Sequence, residues 1–319
     1  MPVFMLLGVS IGIAALSVPA QASANVPLTI EDSPALFSLL GEDLEAGLEN
    51  TNPKLVKPLV LQSALKKLFA LTPSKKRRKK AIFDIRLRQD IRASLRSLAL
   101  IQPEQVEPLV ASDTLLEVVL SWNDEQLAER ASQRLQVLDK GLSAYLRISQ
   151  NKSAFEQLVD YVPALYNLEE RKMLLQLLKS NKLPQPSLKN KRLAEFLDKR
   201  ISRLAKSLIF NMKALVRERR RYEPDLIKAM QSEGIRFSAK PPDFVLDYAL
   251  YSDGQDEESN AWLYEGSISL LGKYGIPIVS IDLTIEETVK DEEQAEALAL
   301  AKMSTALSQN LRAFLLKKR

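Results

Sequence analysis

Six consecutive cations, Lys75, Lys76, Arg77, Arg78, Lys79 and Lys80, form the densest charge cluster of the chain, directly after Pro73-Ser74. Such a run does anion chemistry. It binds phosphates by releasing their counterions, or docks on anionic lipid with roughly 1 kcal/mol per basic residue near the surface. A second group, Arg217, Arg219, Arg220 and Arg221, closes a helical pattern. Cations there also suit the carboxy-terminal end of a helix dipole. Placed on one face, the two clusters would make a single anion-docking surface; placed apart, each is a solvated loop or helix end.

Covalent chemistry is narrower. The chain has neither His nor Cys, which removes the Ser-His and Cys-His pairings, thiolate nucleophiles, the commonest zinc ligand and disulfide staples. Paired carboxylates can hydrolyse glycosides without imidazole, yet only 6% of residues are aromatic, two of them Trp, which is poor material for sugar platforms. Ten glycines and no phosphate-cradling loop argue against nucleotide chemistry. Asp253, Asp256, Glu257 and Glu258 make an acidic loop without the alternate spacing of a calcium-binding one. Trp262, Tyr264, Tyr248 and Tyr251 lie on period-two segments, where aromatic residues build sheet core more readily than ligand platforms. The expectation is a non-enzyme with no metal and no cofactor.

The elements that must position these groups fall into two styles. Over residues 33–178 apolar residues recur at three and four. Leu36, Leu39, Leu40, Leu44 and Leu48 make one helix face, capped by Ser33 with Pro34 next. Leu61, Leu65, Leu68 and Phe69 make another, and Ile82, Ile85, Leu87, Ile91, Leu95 and Leu98 a third. The run Leu115, Leu116, Val118, Val119, Leu120 reads as either helix or buried strand and is taken as helix. Leu127, Ala131, Leu135, Leu138, Leu142, Tyr145 and Ile148 then step down one long face, with an antiparallel partner that Pro163 should interrupt.

Leu183-Pro184-Gln185-Pro186-Ser187 reads as a linker. After it Leu193, Leu197, Ile201, Leu204, Leu208, Met212 and Leu215 predict one long helix ended by Pro224. Beyond Gly234 the period changes to two, around Phe244–Tyr251, Trp262–Leu270 and Val279–Glu286, before a closing helix with Leu300, Met303, Leu307, Leu311 and Phe314 on one stripe. That stripe should lie across the sheet. The expected class is therefore α+β: a mostly helical amino-terminal half and a carboxy-terminal three-stranded antiparallel sheet covered by long helices. In residues, that is a signal peptide over 1–24, a helical domain over 25–182, the linker 183–187, and an α+β domain over 188–319 built of a long helix, a short helix, a three-stranded meander and a closing helix.

Location comes from the start of the chain. No charged side chain occurs in its first two dozen residues, and an apolar stretch from Val3 to Val18 breaks at Pro19 and runs into Ala20-Gln21-Ala22-Ser23-Ala24. This is a secretory leader with small-residue cleavage sites near Ala22 or Ala24, somewhat short of the ~20 residues that span a hydrocarbon layer. No other uncharged run reaches spanning length. A net charge of +5 and a pI of about 9.1 favour anionic surfaces.

The second half resembles bacterial envelope lipoproteins of the twenty-kilodalton-lipoprotein type and, in topology, the lipopolysaccharide-assembly lipoproteins. The residues carrying the resemblance are Val137-Leu138-Asp139-Lys140, the segment from Pro163 through Tyr166-Asn167-Leu168-Glu169-Glu170 to Arg171, and the block from Phe244 to Asp282. In that block Asp247-Tyr248-Ala249-Leu250, the acidic loop, Trp262-Leu263-Tyr264-Glu265-Gly266 and Ile268-Ser269-Leu270 follow in the order such domains use. The chain departs from the family in lacking a lipidated Cys and a familiar domain before Leu135. The resemblance implies a non-catalytic envelope role, as assembly factor, scaffold or accessory.

The combined expectation is an exported, periplasmic, outer-membrane-associated protein acting through an envelope protein partner, with no nucleic acid and no small-molecule cofactor. The runner-up is a peripheral membrane or lipopolysaccharide binder acting through Lys75–Lys80. A carboxylate-based hydrolase ranks third.

Overall fold

The computed structural model describes residues 21–68, 82–94, 103, 105–112, 114–148, 151–214, 222–237, 244–272 and 275–317. Strand β1 (Gln21–Thr29) leads into helices α1 (Pro34–Leu40), α2 (Leu44–Asn50), α3 (Pro53–Leu68) and α4 (Ile82–Ala93). Strands β2 (Gln105–Ser112) and β3 (Leu115–Asn123) follow, then helices α5 (Asp124–Gly141), α6 (Ala154–Ser180) and α7 (Lys191–Ser207). The remainder runs β4 (Ile209–Ala214), α8 (Glu223–Ser232), β5 (Arg236–Phe237), β6 (Phe244–Gln255), β7 (Trp262–Leu271), β8 (Pro277–Glu287) and α9 (Glu292–Lys317).

Two sheets correct the expected class. The first, ordered β1-β3-β2 and antiparallel, stands in the half expected to be helical. Its centre is the segment taken as helix. In β3 burial alternates, with Leu116, Val118, Leu120 and Trp122 all at 2% exposure or less, as a pleated strand with one buried face requires. A helix would have turned Val119 and Leu115 onto the same face as their neighbours; paired β-branched valines favour the strand. Strand β1 sets Leu28 opposite Leu116 and Val26 opposite Val118. Both outer strands carry a proline, Pro27 and Pro108, which only an edge position tolerates.

The second sheet has five strands in the order β5-β4-β6-β7-β8, not three. The meander β6-β7-β8 is antiparallel, while β4 pairs parallel to both β5 and β6. Strand β4 occupies the second part of the expected long helix, which instead ends at Ser207. Ile209 and Phe210 are strand formers, and the Phe210 ring packs 5.1 Å from Phe244 and 6.3 Å from Phe237. Burial of that ring, 1% exposed, outweighs the leucine spacing that suggested helix.

Helix α6 runs unbroken through Pro163. The ring removes one amide donor, and the buried residues Leu158, Val162, Leu165 and Leu168 on either side hold the axis. Its start is a reciprocal box: Ser153 accepts from the Glu156 amide at 3.3 Å, and Glu156 accepts from the Ser153 amide at 2.9 Å. Ser153→Ala is expected to cost about 1 kcal/mol, seen as a lower urea midpoint, with Ser153→Asp recovering most of it.

Helix α9 lies across β7 and β8 with Leu300, Met303, Leu307 and Leu311 buried beneath it. Gly266 allows the close approach, since a Cβ there would stand 3.0 Å from the Met303 sulfur. Residues 183–187, without helix or strand, join α6 to α7, which pack side by side. One buried cluster draws on both ends of the chain, from Val26 and Leu28 to Leu311 and Leu315.

Candidate docking surface

The ten cations singled out in the sequence, Lys75, Lys76, Arg77, Arg78, Lys79, Lys80, Arg217, Arg219, Arg220 and Arg221, lie outside the described residues. The aromatic group separates by depth. Tyr248 and Tyr264 are core, Trp262 is half-buried and donates its indole N–H to the Val289 carbonyl at 3.1 Å, and Tyr251 is 50% exposed.

Other charged groups form a buried junction of α4, α6 and α7. Arg88 donates from Nε to Asp84 at 3.1 Å, from Nη1 to Glu169 at 2.9 Å and Asp198 at 2.6 Å, and from Nη2 to the Ser202 hydroxyl at 2.7 Å. Arg92 takes the other oxygen of Glu169, and Lys172 reaches Glu169 at 2.9 Å and Asp198 at 2.8 Å. Burial pushes the Glu169 carboxyl up, but Lys172, Arg92 and Arg88 together hold it below its ordinary value. Asp198 is lowered in the same way against burial, by Arg88 and Lys172. Such matched charges tie the three helices together.

The charged residues that carried the family resemblance are joints of the same kind. Glu170 grips Arg134 of α5 through both oxygens, at 2.6 and 2.9 Å. Arg171 meets Asp139 at 3.3 Å, and Asp139 also accepts the Asn190 amide at 2.9 Å, fastening α5 and α6 to the start of α7. Arg312 of α9 reaches Asp90 of α4 at 3.0 Å.

Among the described residues, one cavity opens beside these joints and another between α2, α3 and β2. The first, of about 300 Å³, is walled by Asp32, Lys66, Lys67, Gln89, Asp90 and Arg92. It holds two carboxylates: Asp32 accepts from Lys67 and from the amide and hydroxyl of Thr29, while Asp90, pushed above its ordinary value by burial, accepts from Arg312 at 3.0 Å. The other, about 200 Å³, is apolar, between Leu48, Val56, Val60, Val106 and Pro108. Among the described residues no group of His, Cys, Asp or Glu converges to hold a metal.

An acidic surface lies at the β7–β8 end of the large sheet, where Lys302 of α9 pairs with Glu287 at 2.8 Å. Residues 251–297 carry twelve carboxylates and two lysines, leaving twenty-eight carboxylates against forty-three cations in the rest of the chain. They gather in space as well as in sequence. Burial pushes the Tyr264 hydroxyl up to about 12, with the negative charge of Glu292, Glu296 and Glu287 adding to it. The hairpin tip beyond Tyr251 is folded on Asp256, which accepts the Ser259 hydroxyl at 2.6 Å and amide at 2.8 Å. On β8 itself Ser280, Asp282, Thr284 and Glu286 are exposed in a row, while Ile281 and Leu283 between them are half-buried and Ile285 is buried under α9. The acidic loop and the acidic start of α9 are each visible in the sequence. That they share a rim with Asp282 and Glu286 needs the fold, although the imbalance over 251–297 was there to be counted.

No family model matches the chain, and no curated protein matches it. Among solved structures, a secreted protein from Helicobacter pylori aligns over 91% of this chain and 98% of its own at 10% identity, with a TM-score of 0.36. A minor lipoprotein from Acinetobacter baumannii aligns over 33% of this chain and 92% of its own at 13% identity and a TM-score of 0.24. A PelC dodecamer from Paraburkholderia phytofirmans aligns over 32% and 84% at 12% identity and a TM-score of 0.26. These neighbours are a secreted protein, a lipoprotein and an oligomer, and at such scores the likeness carries no argument about this chain.

Proposed function

We propose that this chain is an exported protein of the bacterial cell envelope that acts by holding a protein partner, as an assembly factor or scaffold, without catalysis of its own. The acid-lined β7–β8 end carries the reading: its carboxylates well outnumber the cations beside them, on a chain that is otherwise basic. The uncharged leader supports export, and the resemblance of the Phe244–Asp282 block to envelope lipoproteins points the same way. Both expected cleavage sites, Ala22 and Ala24, fall within β1. Either cut leaves Val26 and Leu28, the buried residues of that strand, paired with β3. A lipid or lipopolysaccharide surface fits the acidic end poorly, because like charges repel there.

Fractionation of expressing cells tests the export, with the expected result a mature chain outside the cytoplasm whose first residue is Ser23 or Asn25. Cross-linking in intact cells tests the binding. A defined envelope protein should be recovered with the wild-type chain and lost when Asp282 and Glu286 are changed to Lys. A cytosolic chain retaining Met1 would overturn the reading.

A further inference from the structure

We propose that the free edge of β8 receives an extended cationic segment of the partner as an added sixth strand; this rests on the docking reading above and names the partner's chemistry. β8 is paired on one side only, by β7, along eleven residues. Along its other side the backbone of β8 has no strand partner among the described residues, although the Glu286 carbonyl near its end already accepts from Lys302 of α9 at 3.2 Å. The other free edges are unsuited. β5 has two residues, and β1 and β2 each carry a proline in mid-strand, at Pro27 and Pro108, which deletes a donor from the edge.

Proteins usually guard a long edge with lysine, an internal proline or a bulge. β8 has its proline only at its first position, Pro277, no lysine or arginine of its own, and regular pairing with β7 from Glu287 to Val279; Lys302 of α9 reaches only its last two residues, Glu286 and Glu287. What it has instead is a sign. Asp282 and Glu286 are exposed and have no side-chain partner among the described residues, and the surrounding rim is acidic.

That sign selects the occupant. Antiparallel pairing with a second copy would gather four carboxylates on one face, and like charges across a strand pair are destabilising. A strand with Lys or Arg at alternate positions places its cations beside Asp282 and Glu286. Its intervening apolar residues then meet the half-exposed flanks of Ile281 and Leu283. Main-chain hydrogen bonds supply affinity and the alternate side chains supply selectivity, the logic of β-augmentation.

The probe is a capped twelve-residue peptide of alternating Lys and Val, compared with a Glu-Val version and with a Lys-Pro version that keeps the charge and cannot pair. Binding to the purified chain is followed by fluorescence anisotropy at low and high salt and by hydrogen exchange of the amides over residues 277–287. The Lys-Val peptide should bind, weaken at high salt, and slow exchange along β8. Asp282→Lys with Glu286→Lys should reduce its affinity by at least about tenfold. Equal binding by the Lys-Pro peptide, or binding that leaves β8 exchange unchanged, overturns strand addition and leaves the docking reading standing. A dimer that protects β8 with no peptide present makes a second copy the occupant and overturns the proposal. Capture of the cellular partner that survives the charge reversal overturns the docking reading itself.

Discussion

Arg88→Met is expected to lower the stability of the chain by about 3–5 kcal/mol at neutral pH, because it leaves the buried Asp84 without its cation and takes one cation from Glu169, which keeps Arg92 and Lys172, and one from Asp198, which keeps Lys172. Against a total of about 5–15 kcal/mol for a typical folded protein, this is a large loss. Arg88→Lys should recover little of it. Four acceptors on three helices are reached from three nitrogens of one rigid plane, and an ammonium cannot span them. Urea unfolding of both variants, followed by circular dichroism, reads the difference; a change under about 1 kcal/mol for Arg88→Met would show that the junction is solvent-screened and structurally idle.

The same junction fixes a pH dependence. The carboxyls of Glu169 and Asp198 lie below their ordinary values in the folded chain, burial's upward push being outweighed by Lys172, Arg92 and Arg88. For an acid with a lowered folded value, the stabilisation is complete above the unfolded value, near 4, and is lost as pH falls through the lower folded one. Wild type should therefore lose stability below about pH 4, and the gap to Arg88→Met should narrow there. A gap that stays constant down to the acid transition would remove these two carboxyls from the account.

The sequence offered a partial signal for this junction. Asp84, Arg88 and Arg92 recur at four, alongside Phe83, Leu87 and Ile91, so charge and apolar stripe share a face. Of the expected stripe Ile82, Ile85, Leu87, Ile91, Leu95 and Leu98, Leu87 and Ile91 are buried and Ile82 is 40% exposed. Burial of charge becomes legible only with the partners on α6 and α7, which stand about eighty and one hundred and ten residues away. The strands divide in the same manner. β6, β7 and β8 alternate over most of their length and are joined by short connections, so local pattern reveals them. β4 pairs with β5 and β6 in parallel across longer stretches of chain, and β1 and β2 form only because β3 lies between them. The distant pairings of β4 and β1 leave no local period, whereas β2 and β3 adjoin in the chain and β3 alternates. The rim followed suit: its acids were visible piece by piece, and the edge they surround was not.

Gly47→Val is the second large effect, and the contact behind it is backbone. In α2 a Cβ at Gly47 would run into the Leu40 carbonyl oxygen and stand 2.8 Å from its carbon, where α1 ends. No rotamer change relieves a clash with main chain, so the two helices must separate, and overpacking of this sort costs about 1–3 kcal/mol or more. Even Gly47→Ala, which gains up to about 1 kcal/mol of helix propensity, should come out destabilising. Gly141 at the end of α5 supplies the opposite case: its φ is −69°, and nothing stands within 4 Å of an added Cβ. Gly141→Ala should raise stability by about 0.5–1 kcal/mol, through the unfolded chain and helix propensity together. Thermal unfolding of the two alanine variants side by side reads the contrast in sign. Should both glycines tolerate alanine equally, α1 and α2 would have to be held farther apart than this fold places them.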